Sequence, residues 1–153
     1  MGTERAILSQ IKTQIQNVNG SGSYTHDLSG SDAVMIGEAF APYRLPAAYI
    51  YPNGVTTIQG PGTVLTRYDR TMSVSVEAWC QATNASAGTT ILDALDLQDD
   101  IMRAIESDRS LDGNVRDVEI NAASYDGGEF DRPSLGLCVL QISIKYTETA
   151  GGV

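Results

Sequence analysis

The chain has 153 residues, 42% of them hydrophobic and 19% charged, and a formal net charge of −9. That length suits one domain, here read as 1–153, with a core of its own. The acidic balance argues against a protein that holds nucleic acid by neutralising phosphates. No apolar run has the roughly 20 residues of a membrane-spanning helix, and Met1–Arg5 carries no basic segment leading into an apolar one, so no secretory signal is expected.

Residues 3–18 place Ile7, Leu8, Ile11, Ile15 and Val18 at helical spacing, with Gln10, Lys12, Gln14 and Gln16 on the other faces. This predicts an amphipathic helix with Thr3 as N-cap and Asn19-Gly20 as its stop. Val34–Glu38 is a candidate short strand. Ala47–Tyr51 reads as a strand punctuated at both ends by Pro46 and Pro52. Residues 53–63, rich in Gly, Thr and Pro, read as a loop or the tip of a long hairpin. Within 64–82, Met72, Val74, Val76, Ala78 and Cys80 alternate with Ser73, Ser75, Glu77 and Trp79, which is the period of a half-covered strand. Trp79 is read as core under a helix, with an anchor against a neighbour as the alternative.

A second helix is expected over 89–107, with Ile91, Leu92, Leu95, Ile101, Met102 and Ile105 as its apolar stripe. Strands follow over 115–125 and 135–147, with Asp126-Gly127-Gly128 as the connecting turn. So short a connection demands an antiparallel pair. The fold class is therefore α+β: a mostly antiparallel sheet, two amphipathic helices packed on one face, and a long hairpin loop.

The residue types that carry chemistry are sparse. His26 is the one histidine. It stands beside Asp27 with no Cys or nucleophile-elbow Ser near it, and is read as a surface residue. Two separated cysteines, Cys80 and Cys138, give no zinc spacing and are expected as reduced, free thiols. Asp112-Gly113-Asn114 lacks the later ligands of a calcium loop, and Gly20-Ser21-Gly22 and Gly60-Pro61-Gly62 lack the Lys-Ser/Thr ending of a phosphate loop. No catalytic residue, cofactor or metal is expected. Arg67, Tyr68 and Arg70 bring residue types enriched at protein interfaces, and are read as either an interface or an ordinary exposed strand end.

Four pieces taken in order resemble the tail-terminator and tail-completion proteins of long-tailed bacteriophages. They are the N-terminal amphipathic helix, the segment Pro46-Ala-Ala-Tyr-Ile-Tyr-Pro52, the alternating strand Met72–Trp79 leading to a helix ending near Ile105, and the turn Asp108–Val115 followed by a strand pair ending in Ile142–Tyr146. The resemblance implies a non-enzymatic virion protein. It would form a homo-oligomeric ring, usually six-fold, at the head-proximal end of the tail after assembly in the host cytoplasm. The ring would cap the tail tube protein, stop its polymerisation and offer a surface to a neck or head-completion protein. DNA would pass through without specific binding, and no membrane is involved. On this reading residues 52–70, with Arg67, Tyr68 and Arg70, reach a neighbouring subunit or the tube. Some of Asp93, Asp96, Asp99 and Asp100 would face the channel, where carboxylates repel phosphates; the alternative for them is a solvated helix face. Rival readings are a head-tail connector subunit, a small enzyme with dispersed catalytic residues, and a monomeric binding module.

Overall fold

The computed structural model describes residues 3–37, 45–58, 67–82, 89–111, 113, 115–129 and 132–149. In chain order the elements are α1 (Thr3–Ile15), β1 (Val34–Ile36), β2 (Ala47–Ile58), β3 (Arg67–Gln81), α2 (Thr90–Glu106), β4 (Asp117–Glu129) and β5 (Arg132–Thr149). The strands form one sheet in the order β1-β2-β3-β5-β4. Only the β1–β2 pair is parallel; the other three are antiparallel. This is the α+β arrangement expected, with both helices on one face.

The two central strands set the frame. β3 and β5 pair without a break from Arg67↔Thr149 to Gln81↔Leu135. Period-two alternation sends Met72, Val74, Val76, Ala78 and Cys80 of β3 to one face, beside Cys138, Leu140, Ile142, Ile144 and Tyr146 of β5, and all ten are buried. The helices close this face. Ile7, Ile11 and Ile15, four residues apart on α1, are buried, as are Ala94, Leu97, Ile101, Ala104 and Ile105 of α2. The Ile and Leu side chains among these contribute about 1.5–3 kcal/mol each when fully buried. A buried amide ties the helices together: Gln14 Nε2 donates to Ala104 O at 3.2 Å and to Ser107 Oγ at 3.1 Å.

Several elements differ from expectation. α1 ends at Ile15, and turn bonds from Asn17 and Val18 N–H to Gln14 and Ile15 O carry the chain round so that Val18 is still buried. The apolar stripe of α2 is rotated from the one expected. Ile91 and Leu92 are exposed, and Ala94 and Leu97 take the core. Pro52 does not end β2. Ala48 N–H points away from β3, to Ala33 O at 2.8 Å, and alternation aims the Pro52 nitrogen to the same outer side, where β1 has already stopped. A bulge between Pro52 and Gly54, with Gly54 at φ 142°, then carries β2 on to Ile58. The remainder of the expected hairpin tip, 59–63, and the first residues of the expected strand region, 64–66, lie outside the described residues.

Gly127 belongs to a strand, not to a turn. It pairs with Gly136, and both lie beneath the first turn of α2. A Cβ on Gly127 would meet Thr90 Cγ2 at 2.9 Å; one on Gly136 would meet Cys80 Sγ at 2.9 Å and Thr90 O at 3.1 Å. The glycines let helix and sheet approach. Trp79 departs from the core reading: it lies between Ala78 and Cys80, which face the helices, so it falls on the opposite face and is half-buried.

Candidate functional site

The face of the sheet away from the helices has a patterned surface. Register places Ala47, Trp79 and Leu137 in one row across β2, β3 and β5, then Tyr49, Glu77 and Val139, then Tyr51, Ser75 and Gln141. The first rows are largely apolar. Tyr49 is buried, and that burial, with the Glu77 carboxylate, raises its phenol pKa. Further along the face turns polar. Asn53 donates to Ser75 Oγ at 2.7 Å, Ser75 to Gln141 Oε1 at 2.8 Å, and Lys145 pairs with Glu119 at 3.1 Å. One end of this face suits dry contact and the other solvent or a polar rim.

The α2 carboxylates separate by helical phase. Asp96, Asp99 and Glu106 are exposed and Asp93 is half-buried. Asp100 is 2% exposed and does not face a channel. Its phase turns it toward the 19–30 segment, where it accepts from Thr25 N–H at 3.0 Å and His26 N–H at 2.8 Å, and lies 3.2 Å from His26 Nδ1. Arg103 adds a bond to Ser23 O at 2.7 Å. A buried carboxylate is tolerated because donors surround it. His26 is correspondingly not a free surface histidine; its side chain is 14% exposed and paired with Asp100. The sequence pointed to Asp27 as its neighbour, and the contact comes instead from 74 residues away.

The Arg67–Arg70 stretch lies at the start of β3. Arg67 contributes backbone pairing with Thr149, and Tyr68 is half-buried. Arg70 is engaged inside the subunit and leaves the candidate interface set. It bonds Glu148, lies 3.6 Å from Glu4, and stacks 5.9 Å from the Tyr68 ring centroid. Tyr146 O–H donates to Glu4 at 2.9 Å and Thr3 O–H to Glu148 at 3.0 Å. This cluster clamps the first turn of α1 to the sheet. Its own backbone N–H, then the Tyr146 hydroxyl, hold the Glu4 carboxyl below its ordinary range, while burial and then Glu4 push Tyr146 up to about 12.

Neither cysteine is set up as a nucleophile. Both are free and buried, and burial raises Cys80 to about 11 and Cys138 to about 12, which disfavours the reactive thiolate. Among the described residues no group of three or more His, Cys, Asp or Glu is arranged to hold a metal ion. A groove of about 330 Å³ runs between α2 and β4, with Met102, Val118 and Ile120 at its base and Glu106, Arg109 and Glu119 on its rim. The chain matches no protein-family model, and no curated protein is significantly similar to it.

Proposed function

We propose that the chain is a structural subunit of a bacteriophage tail: a ring-forming terminator that caps the tail tube, halts its growth and presents the joining surface to the neck. The observation that carries this reading is the order of elements. A helix, a strand begun after Pro46, the alternating strand β3 leading into a second helix, a turn ending at Val115 and a final strand pair follow one another in the order on which the resemblance was drawn. The turn is anchored at both ends, because Leu111 and Val115 are buried and Val115 N–H bonds Ser110 O at 3.1 Å.

The layering also supports it. Among the described residues helices cover one sheet face only, which leaves a second broad face and both sheet edges for other chains. A ring subunit needs four contact surfaces, two for its neighbours and one each for tube and neck, and the outer side of the helices is the fourth. The exposed Asp96 and Asp99, with the net charge of −9, suit a ring that DNA crosses without adhering.

Sedimentation of the purified protein with tail tubes and, separately, with portal-bearing capsids tests the assignment. Co-sedimentation with tubes alone is expected. Binding to capsids alone would assign the chain to the connector instead.

A further inference from the structure

Among the described residues, six large apolar side chains are exposed: Met35, Ile36, Val55, Ile91, Leu92 and Tyr125. They are not scattered. Met35 and Ile36 form most of β1, and Val55 lies on β2 beyond the last β1 pair, so these three mark one edge of the sheet. Ile91 and Leu92 lie in the first turn of α2. That turn rests on Gly127 of β4, two residues from Tyr125, so the other three meet at the opposite edge. Both edges also carry backbone without a strand partner among the described residues. β4 pairs only with β5, and β2 from Pro52 onward pairs only with β3.

We propose that copies of this chain join head to tail through these two edges, the α2–β4 corner of one subunit seating on the β1–β2 edge of the next. The inference rests on the ring reading above and names the junction. Its logic is symmetry and charge. A two-fold dimer through either edge buries one patch and leaves the other in water, whereas a heterologous contact buries both in a single junction that repeats around a ring. The α2–β4 corner is rimmed by Asp93, Asp96 and Asp126, so two such corners face to face would oppose acid with acid. Residues 34–37 and 51–57, along the other edge, include no charged side chain. The corner therefore meets stretches of that edge that bring no like charge, and strand backbone unpaired among the described residues supplies hydrogen bonds.

Tyr125→Asp and Val55→Asp each spoil one patch at an exposed position. Solution mass of the full-length chain reads the result. The wild type is expected as a ring and each variant as a monomer. An equimolar mixture should give 1:1 dimers, because one intact junction can form between them. Leu92→Gln and Ile36→Gln provide a gentler pair, with circular dichroism as the check on folding. A wild-type chain that stays monomeric up to about 1 mM, either variant alone forming rings or dimers, or a folded mixture that stays monomeric would overturn the proposal. Tube capping is scored separately. Rings that ignore tubes would refute the terminator reading and leave the junction standing; Val55→Asp rings that still cap tubes would do the reverse.

Discussion

Gly127 and Gly136 face each other across β4 and β5, and the first turn of α2 rests on the space that their missing side chains leave. A methyl group at Gly136 meets Cys80 Sγ at 2.9 Å and the Thr90 carbonyl at 3.1 Å, so it must lift backbone. Gly136→Ala is expected to lower stability by about 1–3 kcal/mol, the usual range for overpacking. At Gly127 the nearest obstacle is the Thr90 γ-methyl. Gly127→Ala should therefore cost less, and Thr90→Ser should recover part of its loss. Urea unfolding of the three variants checks the order.

Asp100 should behave unlike its neighbours on α2. Asp100→Ala strips the acceptor from Thr25 and His26 N–H, and is expected to cost about 2–3 kcal/mol. Hydrogen exchange over residues 19–30 should accelerate together. Asp96→Ala and Asp99→Ala, at exposed positions, should stay within about 0.5 kcal/mol of wild type.

The clamp on α1 predicts a pH dependence with a definite sign. Glu4 titrates below its ordinary 4.5 in the folded chain. A depressed folded pKa contributes stability above the unfolded value, and that contribution is lost as pH falls through the folded one. Wild type should therefore lose more stability than Glu4→Gln as pH drops below about 4.5. Tyr146 acts in the opposite direction. Raised from 10.0 to about 12, it contributes fully below 10 and loses its contribution as pH rises toward 12. Thermal unfolding across pH, for wild type and Glu4→Gln, reads the acid limb; Tyr146→Phe reads the alkaline one.

Trp79 tests which face of the sheet carries the core. Lying half-buried opposite the helices, Trp79→Ala is expected to cost about 1–2 kcal/mol, below the 3–5 kcal/mol of a fully buried large aromatic. Tyr146→Ala, on the helix-covered face and 1% exposed, should fall in that higher range. Denaturant midpoints separate the two.

Much of the fold was legible because strand and helix periods leave plain marks. The alternation from Met72 to Cys80 identified both the strand and its buried face, and Ile7, Ile11 and Ile15 marked the covered side of α1. The errors came where a tertiary partner decided. Gly127 and Pro52 look like punctuation in a linear reading, yet one leaves room for Thr90 and the other aims its nitrogen to the side away from β3, where among the described residues no strand pairs with it. Asp100 read as one of a row of solvated acids because its partners, Thr25 and His26, lie on another segment. Arg70 looked available because Glu4 and Glu148 are distant in sequence. Ile91 and Leu92 counted as core because a helical stripe shows period more clearly than phase. Their exposure opposite Met35, Ile36 and Val55 became visible only with the sheet order.

We propose that this chain acts by fitting against copies of itself at the end of a tail tube. Electron microscopy of the purified protein mixed with preformed tail tubes measures it most directly. Density of a closed ring at one end of each tube, with tube length fixed once the protein is added, is the predicted result. Bare tube ends that keep growing among separate protein particles would contradict the account.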